Sequence, residues 1–299
     1  MNEIQRLKKE KKAIILVHNY QRPEIQDIGD FIGDSFGLAR KAMETDAENI
    51  VFCGVDFMAE SAKILNPDKR VIHPEPEAKC PMAAMVDVQS LKWMKEKHPD
   101  ASVVSYVNTS AEVKALSDIC CTSSNAVDII NGLDEDEIIF IPDSNLGKYV
   151  KRFIKDKDIL LWQGICPTHH KIKKEHILQL KAEHPQAETV VHPECNPAVI
   201  DIADYVFSTQ GILNHVHSSN ASEFIIGTEK ELCYRLGVLN PDKTFYPLDV
   251  AVCPNMKKIT LPKVISSLEH LNPQVKLSED IVTKAMVPLQ RMIEFGRGD

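Results

Sequence analysis

Three cysteines stand directly before a proline: Cys80-Pro81, Cys166-Pro167 and Cys253-Pro254. Cys166 follows Cys80 by 86 residues and Cys253 follows Cys166 by 87. Thiolates are soft ligands, so three of them brought together would bind zinc or an iron–sulfur cluster. Structural zinc sites take four ligands and favour paired spacings such as Cys-x2-Cys. No two cysteines have that spacing here, and Cys166 with His169 offers one Cys-x2-His pair. Three widely separated cysteines suit a cubane whose fourth iron has no protein ligand and can act as a Lewis acid on a carboxylate, hydroxyl or imine nitrogen. A cysteine can also be a small buried packing residue. Spacing alone leaves all three readings open.

A near-constant period of this size suggests three copies of one unit. Each copy opens with a helical pattern and then an apolar run: Ile4 to Lys12 before Ala13 to Val17, Leu91 to Lys97 before Val103 to Val107, and Ile177 to Glu183 before Thr189 to Val191. His98-Pro99 and His184-Pro185 end the second and third helices, as proline does. His18, Asn108 and His192 close the three runs. Asp30, Asp118 and Asp204 each stand four residues before a polar pair, Asp34-Ser35, Thr122-Ser123 and Ser208-Thr209. A second apolar run follows in each copy (50–53, 138–141, 224–226), then Asp56, Asp143-Ser144 or Thr228-Glu229. Leu65-Asn66-Pro67-Asp68-Lys69 reappears as Leu239-Asn240-Pro241-Asp242-Lys243.

Alternating helices and short apolar strands imply parallel sheets, whose ligands collect beyond the carboxyl ends of the strands. The recurring polar groups sit at those ends. The expected fold is therefore α/β: three pseudo-threefold-related αβα, Rossmann-like domains with short parallel sheets around a central active site, each supplying one cysteine. The units are expected at 1–84, 85–170 and 171–258, with the tail 259–299 packing back on the first. Within that tail, Leu261 to Leu271 and Gln274 to Leu277 read as a further helix and strand, and Ile281 to Phe295 as a helix kinked at Pro288.

The bulk properties limit the alternatives. The chain has 299 residues, a size for two or three compact units. Its net charge of −8 argues against a nucleic-acid or anionic-membrane partner, although a small anionic substrate needs only a local pocket. Met1 to Lys12 is highly charged and lacks the apolar stretch of a signal peptide, and no early apolar run approaches the ~20 residues of a membrane span. A cytoplasmic protein is expected, in which eight cysteines are thiols or metal ligands rather than disulfides.

Many short motifs, in order, resemble one family. His18-Asn19-Tyr20-Gln21, Gly33-Asp34-Ser35, Val55 to Glu60 and Cys80-Pro81-Met82 are similar to the first third of the quinolinate synthases. Tyr106 to Thr109, Thr122 to Ala126, Pro142-Asp143 with Asn145-Leu146-Gly147, and Cys166-Pro167 with His169 resemble the second third. His192 to Cys195, Ser208-Thr209, Gly227-Thr228-Glu229 and Cys253 to Lys257 resemble the last. The resemblance implies a transferase of NAD biosynthesis. It would condense iminoaspartate with dihydroxyacetone phosphate to quinolinate, phosphate and water. It implies a [4Fe–4S] cluster on Cys80, Cys166 and Cys253. It makes His18, Tyr20 and Glu194 acid/base candidates. It gives phosphate or carboxylate oxygens to Ser35, Ser123, Ser208 and Thr209, orientation of the planar substrate to Tyr106 and Asn108, and carboxylate contacts to His169 and His192. Pathway logic adds L-aspartate oxidase or aspartate dehydrogenase as a functional partner supplying iminoaspartate. One position departs from the family, which commonly has Ser-Thr-Gly where this chain has Ser208-Thr209-Gln210-Gly211. An aconitase-like hydratase, an iron–sulfur sensor or electron carrier, and a zinc-stabilised binding protein share the cysteines but not the whole set of polar residues.

Overall fold

A computed structural model describes residues 2–298. Each apolar run becomes a central strand, because a parallel strand covered by helices on both faces buries all its side chains. The first sheet contains β1 (Ala13–His18), β2 (Phe31–Gly33), β3 (Asn49–Cys53) and β4 (Arg70–Ile72), in the order β2-β1-β3-β4. The second contains β5 (Ser102–Tyr106), β6 (Ile119–Cys121), β7 (Glu137–Ile141) and β8 (Asp158–Leu161), in the order β6-β5-β7-β8. The third contains β9 (Glu188–Val191), β10 (Tyr205–Val206), β11 (Glu223–Gly227) and β12 (Thr244–Pro247), in the order β10-β9-β11-β12. Every pairing within these sheets is parallel. The α/β fold of three repeated units is thus present, with one connectivity used three times. Periodicity located the two central strands of each unit but not the edge strands, which are two to four residues long and too short to carry an alternating pattern.

The recurring aspartates tie one edge strand of each sheet, β2, β6 or β10, to its neighbour. Asp30 Oδ2 accepts the Ile15 amide at 2.8 Å, Asp118 Oδ2 the Val103 amide at 2.7 Å and Asp204 Oδ2 the Thr189 amide at 2.8 Å. The amides of the same three aspartates donate back to the carbonyls of Ile15, Val103 and Thr189. A lysine of each opening helix joins them: Lys8 on Asp30, Lys95 on Asp118 and Lys181 on Asp204. A second lysine ties down a loop carbonyl in each unit, Lys69 on Thr45, Lys157 on Leu133 and Lys243 on Ser219. The repeated Asn-Pro-Asp-Lys segment therefore marks a shared anchoring device, in which Asn66 and Asn240 also donate to the preceding helix at Ala62 and Leu236.

The tail leaves the third unit and crosses the others. Helix Leu261–His270 buries Val264 and Leu268 with Ile4, Leu7 and Ile15 of the first unit. Helix Glu279–Phe295 runs on through Pro288 and buries Ala285, Leu289 and Met292 in the core shared by the first and second units. The strand expected over Gln274 to Leu277 does not form. The Val275 amide donates to the Val71 carbonyl and the His73 amide to the Pro273 carbonyl, which makes one bridge between Gln274 and Ile72 before Ser278 caps the next helix.

The aspartate ties carry a stability prediction. Asp204 is held below the ordinary carboxylate range: partial burial works against this, but the Thr189 amide and Lys181 prevail. Asp204→Ala is expected to lower unfolding stability by roughly 1–3 kcal/mol, the worth of a charge-assisted hydrogen bond. The urea midpoint should move at constant slope. Because the folded-state affinity for the proton is depressed, the stabilisation exists above the unfolded-state value and is lost as pH falls through the folded-state one. The gap between wild type and variant should therefore narrow in acid, and equal midpoints at neutral pH would refute the tie.

Candidate active site

The carboxyl ends of the three central strands β1, β5 and β9 open on one cavity of about 970 Å³, its mouth included. His18 and Tyr20 enter it from β1, Tyr106 and Asn108 from β5, and His192 and Glu194 from β9. Cys80, Cys166 and Cys253 line the same cavity, one from each unit. All eight cysteines are free thiols. Cys53, Cys120, Cys121, Cys195 and Cys233 do not line it. Burial pushes the Cys80 thiol up, and Cys253 adds to this. Burial and then Glu194 raise Cys166, to which Cys80 also contributes, and burial raises Cys253. Three such thiols would ionise together only against a cation, so the donor set fits a thiophilic metal centre. A smaller group, Cys166, His169 and Glu194, also brings its ligand atoms within 4.8 Å of one another.

A chain of hydrogen bonds crosses the cavity between units. Tyr20 Oη lies 2.9 Å from Thr209 Oγ1 and 2.7 Å from Thr228 Oγ1. Thr228 Oγ1 lies 2.8 Å from His169 Nε2. His169 Nδ1 lies 2.7 Å from Glu194 Oε2 and 3.2 Å from Cys166 Sγ. Tyr106 Oη donates to Glu194 Oε1 at 2.6 Å. With one proton on the His169 ring, at Nδ1, every bond from Thr209 to Glu194 can point the same way. Burial, then Glu194, holds the Tyr20 hydroxyl well above its ordinary pKa. Burial opposes ionisation of Glu194, but His169, His192 and Tyr106 outweigh it and keep the carboxyl well below its usual range.

The other two histidines are fixed by their own backbone. His18 Nδ1 accepts the Tyr20 amide at 3.1 Å, and His192 Nδ1 accepts the Glu194 amide at 3.3 Å. Each ring therefore carries its proton on Nε2. His192 Nε2 lies 3.2 Å from Ser123 Oγ. Burial lowers His18 to about 4 and His192 to about 3, so both are neutral at neutral pH.

Ser35, Ser123 and Thr209 line the cavity, whereas Ser208 does not. Ser208 caps helix Thr209–Ser218 by accepting the Gly211 amide at 3.1 Å. Ser35 leaves the corresponding cap to Asp34, which accepts the Gly37 amide at 2.8 Å. Gln210 sits in the first turn of its helix without a left-handed backbone, so the glycine common in the family is not required there. Asn108 Oδ1 is buried against the cavity with no protein partner, the signature of an atom awaiting a ligand.

Several site groups escaped the sequence reading. Thr228 was visible only as part of a hydroxyl and acidic cluster after a strand, yet it joins Tyr20 to His169. Lys257 Nζ donates to the Tyr20 carbonyl at 2.6 Å and pairs with Glu229 at 2.9 Å. Arg297 grips Asp34 with two bonds of 3.1 and 2.8 Å, and no motif near the end of the chain announces it. No helix among the described residues is long and apolar enough to cross a membrane.

The comparisons with known proteins agree over nearly the whole chain. Residues 2–294 match the family described as "NadA: Quinolinate synthetase A protein". The chain is 53% identical over 294 residues to a quinolinate synthase of Thermodesulfovibrio yellowstonii, covering 98% of this chain and 97% of that protein. It is 51% identical over 294 residues to quinolinate synthase 1 of Methanosarcina acetivorans, covering 98% and 96%. It is 51% identical over 296 residues to a quinolinate synthase of Caldicellulosiruptor bescii, covering 99% and 98%. Agreement of this length, on a fold and a cavity built from the same motifs, makes this chain a member of the quinolinate synthetase A family.

Proposed function

We propose that this chain condenses iminoaspartate with dihydroxyacetone phosphate to quinolinate, releasing phosphate and water. The observation that carries the reading is the hydrogen-bond chain Thr209–Tyr20–Thr228–His169–Glu194–Tyr106 beside three convergent cysteines. The condensation needs an isomerisation, an enamine attack and two dehydrations, and each step moves protons. Cys80, Cys166 and Cys253 would hold a [4Fe–4S] cluster, which supplies an iron without a protein ligand as a Lewis acid. Iminoaspartate would come from L-aspartate oxidase or aspartate dehydrogenase.

The side chains divide the remaining work by their proton affinities. Neutral His18 can donate from Nε2 to a substrate oxygen without placing a full positive charge in the site. The Tyr20 hydroxyl stays protonated and can pass a proton along the chain while receiving another from Thr209. Glu194, kept ionised by His169, His192 and Tyr106, accepts from His169 and Tyr106 and orients both. Asn108 Oδ1 and the hydroxyls of Ser35, Ser123 and Thr209 suit the polar edges of a dicarboxylate or phosphorylated substrate. Ser208 is better placed to cap the helix that presents Thr209.

A zinc ion on Cys166, His169 and Glu194 is the second reading, and it would exclude neither fold nor family. Anaerobic metal and sulfide analysis separates the two. Iron and sulfide in near-equal amounts support the cluster, and zinc without sulfide rejects it.

Cys80→Ala, Cys166→Ala and Cys253→Ala should each lose the cluster and turnover, because two thiolates anchor a cubane poorly. Cys233→Ser should keep both. Near-stoichiometric iron with full turnover in any one of the first three overturns the ligand assignment.

Tyr20→Phe should keep the cluster and the ring packing, yet lose about 10²–10⁴-fold in quinolinate formed per cluster, the usual worth of a general acid/base group. The assay is anaerobic with saturating substrates. A rate indistinguishable from wild type would leave Tyr20 as a packing residue.

A further inference from the structure

We infer that Asp56, Asp143 and Glu229 are positioning residues for the three cysteines, each holding the backbone of one of them from the end of a central strand. The inference rests on the cluster reading above. The Cys80 amide donates to Asp56 Oδ1 at 2.9 Å, the Cys166 amide to Asp143 Oδ2 at 3.2 Å and the Cys253 amide to Glu229 Oε1 at 3.1 Å. These contacts span 24, 23 and 24 residues, so they belong to the repeat and not to chance proximity.

A second bond lies beside each one. The Asp56 amide donates to the Ala78 carbonyl at 3.0 Å, the Ser144 amide to Gly164 at 2.8 Å and the Lys230 amide to Ala251 at 2.9 Å. Each acceptor lies two residues before its cysteine. The proline that follows each cysteine has no amide hydrogen and a fixed φ. The cysteine amide is therefore the last donor by which the loop can be held before the proline. Two bonds ahead of a stiff residue fix the direction in which the thiol leaves the chain, and ligand orientation of this kind tunes and retains a metal centre.

The three carboxylates differ in how many oxygens they use. Asp56 takes both the Phe57 and the Cys80 amides on Oδ1, each at 2.9 Å. Asp143 gives Oδ1 to the Asn145 and Leu146 amides and Oδ2 to Cys166. Glu229 gives Oε2 to the Glu231 amide and Oε1 to Cys253 and Lys257. A side-chain amide has one acceptor oxygen. It can replace Asp56 without losing a bond, but not Asp143 or Glu229.

The test uses the full chain reconstituted anaerobically with iron and sulfide. Iron release to a chelator, the midpoint potential of the bound cluster and thermal unfolding of the cluster-free chain are compared for Asp56→Asn, Asp56→Leu, Asp143→Asn and Glu229→Gln. Asp56→Asn should release iron as wild type does and shift the potential to more positive values, because one negative charge beside the cysteine is gone. The other three should release iron roughly tenfold faster or more, the factor expected for one charge-assisted hydrogen bond. If the Asp143 or Glu229 variant fails to fold, the Asp56 pair decides alone. Release rates and potentials equal to wild type, with only cluster-free stability reduced, would mean that the carboxylates merely cap helices and would overturn the proposal. A wild-type chain that takes up no iron and sulfide overturns the cluster reading itself.

Discussion

Strand polarity is the constraint on which the rest depends. In a parallel sheet every carboxyl end lies on one side, and side chains beyond those ends have no further strand to pack against. A four-stranded unit offers only a shallow crevice there. Three units facing one another turn three crevices into one cavity, with His18, Tyr106 and His192 at equivalent strand positions around it. No unit holds a site alone: Tyr20 of the first reaches Thr209 and Thr228 of the third, and Tyr106 of the second reaches Glu194 of the third. The polar chain is therefore also a set of contacts between units, and its geometry depends on their packing.

Burial then sets the electrostatics. The cavity holds three neutralised groups, His18, His192 and Tyr20, beside an ionised carboxyl, Glu194. Desolvation disfavours charge on all four. Glu194 escapes because two histidines and a tyrosine hydroxyl converge on it, whereas the histidines would gain too little from one shared carboxylate. Asp143 shows the complementary outcome, raised by its own burial and then by the charge on Glu194. Glu194 is thus an ionised carboxyl among neutral groups, and His169 links it to Cys166.

Much of this was legible in the sequence, because a repeat doubles every weak signal. The central strands, the helix stops at His98-Pro99 and His184-Pro185, and the recurring aspartates all reappear as structure. The period of the cysteines, together with the other repeated landmarks, pointed to one shared cavity, although spacing alone left cluster, zinc and packing readings open. What was hidden has a physical cause in each case. The edge strands are too short for periodicity, and Asp30, Asp118 and Asp204 tie β2, β6 and β10 to their neighbours instead. The run at Gln274 to Leu277 has strand-like residues but meets an edge strand of three residues, so it makes one bridge and leaves. Ser208 and Ser35 hold different places in their polar pairs: Ser208, like Asp34, comes first and caps its helix, whereas Ser35, like Thr209, comes second and lines the cavity. Arg297 meets Asp34 across 263 residues, a distance over which sequence spacing carries no information.

The same repeat explains how a symmetric scaffold can serve an asymmetric reaction. The groups that brace each unit internally are kept in kind: an aspartate before one edge strand, a lysine on a loop, a carboxylate on the cysteine amide. The groups that face the cavity have diverged, with His18 and Tyr20 in the first copy, Tyr106 and Asn108 in the second and His192 and Glu194 in the third. On the proposed reaction the product is a pyridine ring with carboxylates on two neighbouring carbons to one side of the nitrogen, so its precursors would present a different chemical edge to each unit. Three identical linings could not satisfy those edges, since a buried donor facing a donor costs free energy. Identical anchors, by contrast, keep the three cysteines equivalent. On the proposed function, divergence at the strand ends and constancy one layer behind them are therefore two consequences of one requirement: a threefold cysteine site that would hold an unsymmetrical substrate.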